Sequence, residues 1–205
     1  MKLVYGLSIM LLLCQTHNNT KKEHFSILKQ QETERIIAYN KLDSTKHLHE
    51  NDESHLFDFL VGNFTFDGKT LNVENGNYYQ YSGTWKVEKK MENRVITEEF
   101  RINNSNSVPI FLGITIRSYN KNTGKWVMGF FDVLNPSKWY PLGQPKKESG
   151  TITFEGKFPG LTKGQKLRIA FYDIEKSGFK WKSDLSNDNG KTWIDNYTLI
   201  QASRN

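Results

Sequence analysis

Ile110-Phe111-Leu112-Gly113-Ile114-Thr115-Ile116-Arg117-Ser118-Tyr119 runs into Asn120-Lys121-Asn122-Thr123-Gly124 and then into Lys125-Trp126-Val127-Met128-Gly129-Phe130-Phe131-Asp132. In the first segment Ile110, Leu112, Ile114 and Ile116 fall on every second position. In the last, Trp126, Met128, Phe130 and Asp132 do the same. Successive side chains of a strand point to opposite faces, so a period of two marks β-structure. A helix would repeat its apolar positions every three or four residues. The residues between the two segments, rich in Asn and closed by Gly124, are turn formers.

The same period recurs on either side. Tyr79, Tyr81, Trp85 and Val87 alternate with Gln80, Ser82, Lys86 and Glu88, and Ile96, Phe100 and Ile102 share a face with Glu98. Later come Leu167, Ile169, Phe171 and Asp173, then Phe179, Trp181, Ser183 and Leu185, then Tyr197 and Leu199. Turn signals stand at Asp67-Gly68, Glu74 to Asn77, Asn103 to Ser107, Ser149-Gly150, Pro159 to Gly164, Lys176 to Gly178 and Asn187 to Gly190. Short strands at regular spacing, with no long helix between them, predict an all-β fold. An antiparallel meander of about eight to ten strands closes readily into a barrel, which removes exposed sheet edges. Ahead of the first strand, Ser54 is placed to cap a short helix through Leu56-Phe57-Asp58-Phe59-Leu60-Val61, ended by Gly62.

The chain begins Met1-Lys2, then an apolar run from Leu3 to Leu13, then Cys14. One positive charge before a short apolar run is the pattern of a secretory signal, and the run is too short for a spanning helix, which takes ~20 residues. Cys14, the only cysteine, stands where a bacterial lipoprotein signal places its lipidated residue, although Leu13 occupies a position usually held by a small side chain. The other reading is an ordinary signal peptide with a cysteine in its apolar run. A lone cysteine forms no intramolecular disulfide. Residues 1–14 are therefore expected to be a signal, 15–53 a polar tether and 54–205 the barrel. Within the tether Phe25, Leu28, Ile36 and Tyr39 mark one weakly amphipathic helix. His47 and His49, beside Glu50, Asp52 and Glu53, lie in a flexible polar stretch that does not hold ligands rigidly, so no metal is assigned. The expected location is the bacterial cell envelope, periplasmic or anchored at the outer membrane.

The net charge is +6, but its Lys and Arg are interspersed with Asp and Glu throughout, and no basic run with interleaved aromatics occurs. That removes the case for nucleic acid. The sequence contains no Gly-x-Ser-x-Gly elbow, His-Glu-x-x-His, phosphate loop or dinucleotide fingerprint. All five histidines, His17, His24, His47, His49 and His55, precede the strands, so neither a His-centred triad nor a proximal-His haem site is expected inside the barrel. No cofactor and no catalytic residue is assigned. The remaining candidates for acid–base work are Glu98, Asp132 and Asp173, which share parity with apolar neighbours. Glu98 either serves a wet pocket as acid or ligand anchor, pairs with an inward arginine such as Arg101 or Arg117, or is turned outward by a bulge. The aromatics either fill the barrel or line a pocket for a small hydrophobic or amphipathic molecule; Tyr79, Tyr81, Trp85, Glu98, Trp126 and Trp181 are its candidate contacts. Trp139 and Tyr140, between Pro136 and Pro141, are a candidate surface for a macromolecular partner or a lid over the barrel mouth.

Two motifs remain. Ser186-Asn187-Asp188-Asn189-Gly190-Lys191-Thr192-Trp193 matches the Asp-box, in which the aspartate bonds amides across a turn and the tryptophan packs beneath it. The box recurs in sialidase-like propellers, but here it stands once in a chain too short for a propeller, so it reads as a stabilised hairpin. Phe57-Asp58-Phe59-Leu60-Val61-Gly62-Asn63-Phe64, Ser118-Tyr119-Asn120-Lys121-Asn122-Thr123-Gly124-Lys125-Trp126 and the closing Phe179-Lys180-Trp181 to Trp193 together resemble a bacterial family of lipocalin-like barrels of unknown function. Phe64 stands where that family usually has Trp. The resemblance implies a lipocalin-like barrel over residues 54 to 204 and carries no activity with it.

Overall fold

The structure, a computed structural model, describes residues 26–37, 53–104 and 108–205. Cys14, the signal segment, His47 and His49 lie outside the described residues, as do Phe25 and Tyr39. Residues 26–37 form a helix with every side chain exposed; within it Gln30 Nε2 donates to Glu34 Oε1 at 3.2 Å and Thr33 Oγ1 to the Lys29 carbonyl at 2.9 Å. Among the described residues no helix is long and apolar enough to cross a membrane.

The unit Asp52–Asn205 is a barrel of β1 (Gly62–Leu71), β2 (Tyr78–Lys90), β3 (Val95–Asn103), β4 (Pro109–Asn120), β5 (Lys125–Asp132), β6 (Tyr140–Leu142), β7 (Lys146–Glu148), β8 (Thr151–Gly156), β9 (Lys166–Glu175), β10 (Gly178–Ser186) and β11 (Ile194–Arg204). Every pairing is antiparallel, and strands adjacent in sequence are adjacent in space from β1 to β6 and from β8 to β11. The first and last strands pair along seven positions, from Phe64↔Arg204 to Thr70↔Thr198. On the other side the ring closes through Leu142↔Gly156 and the Gly143 N–H to Glu155 carbonyl bond of 2.7 Å, leaving β7 outside a ring of ten strands. Where β6 no longer reaches β5, the Gln144 side chain takes its place: its Nε2 donates to the Trp126 carbonyl at 2.6 Å and its Oε1 accepts from the Trp126 amide at 3.1 Å.

Four local readings are corrected. The single short helix before β1 is two 3-10 turns, Glu53–His55 and Asp58–Leu60, and the second is preceded by Phe57 with no side-chain cap. Asp67-Gly68 is no turn but lies inside β1; Gly68 is required because a Cβ there would lie 2.4 Å from the Tyr81 ring. Asp173 leaves the inward row, since its φ of +46° breaks the alternation and turns the carboxylate outward to Lys180 Nζ at 2.7 Å. On β11 the inward, buried residues are Thr198, Ile200 and Ala202, so Leu199 faces out. The β2–β3 turn carried no glycine signal; Met91, Glu92 and Asn93 make it with φ of 50°, 57° and 66°.

The hairpin of residues 110–132 forms as its pattern predicts, but its two strands treat their apolar positions differently. On β5 Trp126, Met128, Phe130 and Asp132 face inward and are buried. On β4 the inward residues are Phe111, Gly113, Thr115, Arg117 and Tyr119, which leaves Ile110, Leu112, Ile114 and Ile116 on the outer wall, Ile110 at 55% exposed. The same rule of alternation that made this segment recognisable forbids both faces from being inside.

Candidate functional site

The two halves of the barrel interior differ. Phe57 and Leu60, from the 3-10 turns, plug one end and are wholly buried. The segment is held in place by Arg204, whose guanidinium donates to the carbonyls of Val61 (2.6 Å), Phe59 (3.0 Å) and Lys176 (3.0 Å) while lying over the Phe64 ring. Lys89 Nζ meets Asp58 at 2.7 Å on the same segment. The Phe57 ring stands edge-on to Trp126 at 5.0 Å and to Phe171 at 6.3 Å. Trp85 adds edge contacts to Phe179 at 5.3 Å and Phe100 at 5.0 Å. Such edge-to-face arrays are the preferred packing of aromatic quadrupoles, and they leave this half filled by side chains.

Within that half is a buried ion pair. Glu98 on β3 and Arg117 on β4 have side chains 1% and 3% exposed, and Arg117 Nε donates to Glu98 Oε1. Trp85 Nε1 donates to the second carboxylate oxygen at 3.2 Å. Arg117 Nη1 points at Met128 Sδ at 3.3 Å, and its guanidinium carbon lies 4.4 Å from the Phe57 ring centre and 5.4 Å from that of Phe154. Of the three readings of Glu98, the inward arginine partner is the one the structure has, and that partner is Arg117. A carboxylate so paired is occupied by its arginine and its indole and has no open face for a reacting group. Asp132, also buried, accepts from the Leu134 and Asn135 amides at 3.0 and 3.1 Å and so ends β5 as a turn cap.

Toward the other end the inward side chains Tyr81, Phe100, Ile102, Phe111 and Trp181 are only partly buried. Phe111 stacks on Phe130 at 5.9 Å, and Phe158 from the β8–β9 loop packs on Phe130 at 5.3 Å. The facing wall is polar. Tyr81 on β2, Thr70 on β1, Thr198 on β11 and Ser183 on β10 bring four hydroxyls together across consecutive strands. Thr70 Oγ1 is 3.2 Å from both the Tyr81 hydroxyl and Thr198 Oγ1, and Ser183 is the register partner of Thr198. Ser183 is wholly buried, and its Oγ has no hydrogen-bond partner among the described residues. Burial pushes the Tyr81 phenol above its ordinary pKa, with the Thr70 hydroxyl opposing and the nearby Tyr197 adding to the rise. An aromatic wall facing a hydroxyl belt can hold a molecule with an apolar body and a polar group.

The predicted contacts are thus divided. Trp85, Glu98 and Trp126 belong to the filled half, Tyr81 and Trp181 to the partly open half, and Tyr79 stands at the rim, 62% exposed, accepting from Asn72 Nδ2 at 3.1 Å. Thr70, Thr198 and Ser183 were not anticipated: Thr70 lies beyond the misread turn at Gly68, and Thr198 lies on the face of β11 opposite to the one the Tyr197–Leu199 spacing suggested. Trp139 is 50% exposed and packs at 5.2 Å on Phe131 of the outer wall, while Tyr140 is half-buried in β6.

The Asp-box folds as a turn that bonds to itself and to the β8–β9 loop, where the Asn189 amide donates to the Gly164 carbonyl at 2.8 Å and Gln165 Nε2 to Asn187 Oδ1 at 2.8 Å. Asp188 accepts from the Thr192 amide and hydroxyl at 2.9 and 2.7 Å, from Ser186 Oγ at 2.8 Å and from the Lys191 amide at 3.0 Å. These bonds, those from Thr192 first, pull its pKa down to about 2. The Trp193 ring lies under Arg168 at 4.6 Å, and Arg168 in turn reaches buried Asp184 at 2.9 Å. Burial pushes Asp184 up, but the Asn196 amide together with Arg168 and Lys182 outweighs it and leaves the carboxyl below its ordinary value.

No protein-family model matches the chain, and no curated protein matches it. Among solved structures, the chain is similar to Rv2717c from M. tuberculosis, with a TM-score of 0.54 and 9% identity over 76% of this chain and 98% of that one. A protein of unknown function from the DUF3598 family of Nostoc punctiforme aligns with a TM-score of 0.47 and 13% identity, over 73% of this chain and 49% of that one. The first likeness shows the fold, a closed antiparallel ten-strand barrel, and nothing of activity.

Proposed function

We propose that this protein binds a small hydrophobic or amphipathic molecule in the cell envelope, at the partly open half of its barrel, and that Cys14 tethers it to a membrane. The observation that carries the reading is the Thr198–Thr70–Tyr81 hydroxyl chain, whose Thr70 and Tyr81 are only partly buried and so are open to a ligand's polar group. The apolar body of the ligand would then lie against Phe100, Phe111 and Phe158, displacing water from rings that are only partly buried. The Glu98–Arg117 pair sets the filled floor of the barrel and is not a ligand contact in this reading.

The test is native mass spectrometry with organic extraction on the protein from its own host. A stoichiometric small molecule is expected, and Thr70→Val and Tyr81→Phe are expected to lower its occupancy. A clean apo mass would refute the reading. A second reading, contact with a macromolecular partner, is favoured by one observation: the outer wall of β4 and β5 exposes Ile110 and Val127 at 55% and 64%, and Trp139 of the β5–β6 loop, 50% exposed, packs on its Phe131, an apolar patch of the kind that marks interfaces.

A further inference from the structure

A single row of side chains crosses six strands on the outside of the barrel. The register runs Tyr172↔Lys180↔Gln201↔Asp67↔Ser82↔Asn103, from β9 through β10, β11, β1 and β2 to β3. All six have outward parity, and all six line one open groove of about 920 Å³. With strands spaced about 4.8 Å apart, the row extends roughly 24 Å around the wall.

Most of this polarity is unspent. The side chains of Asp67, Ser82 and Gln201 have no hydrogen-bond or ion-pair partner among the described residues, and Asn103 Oδ1 is shielded from solvent with none. Lys180 is held by Asp173 at 2.7 Å, with its ammonium 6.0 Å from the Tyr172 ring centre.

We infer that this groove binds a glycan chain. Amide, hydroxyl and carboxylate side chains donate and accept side by side, which suits the vicinal hydroxyls and acetamido groups of sugars. Tyr172 at the end of the row adds a phenol hydroxyl, its ring lying under the Lys180 ammonium. Other polymers fit less well. Asp67 at the centre repels phosphates, and of the two lysines that line the groove Lys180 is neutralised by Asp173 and Lys69 lies over the Tyr78 ring, so the groove has no run of free cations for nucleic acid. The floor consists of strands paired on both sides, so an extended peptide finds no free edge to add to. The groove lies outside the barrel, and the inference is independent of what the interior holds.

The test titrates the full chain with the β-1,4-linked tetramer of N-acetylglucosamine and follows backbone amide chemical shifts. Saturable shifts are expected at Asp67, Ser82 and Gln201. The double variant Asp67→Ala/Gln201→Ala is expected to weaken binding at least tenfold. Both positions are exposed, so the fold is expected to persist, and unchanged shifts of the buried Phe171 and Ala202 amides would verify it. The absence of saturable shifts at millimolar sugar, shifts confined to the barrel mouth, or undiminished binding by the double variant would each overturn the inference.

Discussion

Replacing Arg117 with Met leaves Glu98 as a bare carboxylate, 1% exposed, with only the Trp85 indole for company. Breaking a buried pair from one side typically costs about 3–5 kcal/mol, because an uncompensated charge stays behind. The cation–π contacts to Phe57 and Phe154 are lost as well. For a domain of this size each kcal/mol moves the midpoint by about 2–4 °C, so Arg117→Met is expected to lower Tm by roughly 6–20 °C. Glu98→Gln keeps the shape and an acceptor for Trp85 but strands the guanidinium, and is expected to fall in the same range. Removing both charges, as Glu98→Leu/Arg117→Met, is expected to recover most of the loss, since replacing a buried pair by apolar groups is often neutral or stabilising. Urea unfolding followed by tryptophan fluorescence on the parent, Arg117→Met, Glu98→Leu and the double variant gives the four corners of the cycle. A single variant within ~0.5 kcal/mol of the parent, or a double variant no better than the worse single, would refute the view that the pair is a closed electrostatic unit. The same variants test its distance from function: at permissive temperature Glu98→Gln should retain whatever ligand the open half binds.

Phe57→Ala empties the plug among Trp126, Phe154 and Phe171 and is expected to cost about 3–5 kcal/mol; unfolding with an unchanged midpoint would show that the segment merely lies against the barrel. Gly83→Ala places a Cβ 2.0 Å from the Arg101 carbonyl and 2.4 Å from the Phe66 ring, so a marked loss of Tm is expected, and a silent substitution would contradict the β2–β3 packing. Asp188 has a folded pKa of about 2 against an unfolded value near ~3.9, so its contribution is present above the unfolded pKa and is lost as pH falls through the folded one. A carboxyl NMR titration of Asp188 with an ordinary midpoint would contradict this, whereas Asp188→Asn is expected to flatten the acid dependence of the 186–193 hairpin. Gln144→Ala removes both bonds to the Trp126 backbone; faster amide exchange is expected along β5 and β6, and protection unchanged there would show that the seam does not depend on that side chain.

Much of this protein is local, and the local part is readable from its residues alone. A period of two follows from strand geometry, so the strands of residues 110–132 and 166–186 are visible without any partner. The Asp-box carries the donors and the acceptor of its turn within eight residues, and the β8–β9 loop adds bonds at Asn187 and Asn189. Even the inward placement of Glu98 follows from parity with Ile96 and Phe100.

What parity leaves open is decided by pairing. Alternation alone sets Arg101, three residues from Glu98 on the same strand, on the outer face, but it does not say which face of β4 is inward; the β3–β4 pairing brought Arg117 to the inside. The outward turn of Ile110, Leu112, Ile114 and Ile116 ran against their hydrophobicity, because the strand can show one face only and the opposite face carries the arginine. The two 3-10 turns, the Gln144 seam and the hydroxyl belt depend on residues far apart in sequence meeting at the ends and closing edge of the barrel. The outer row from Tyr172 to Asn103 has no signature in the chain at all. Strand formation is set by neighbours one and two residues away, whereas register and closure are set by contacts a hundred residues apart, and both candidate sites are made of register.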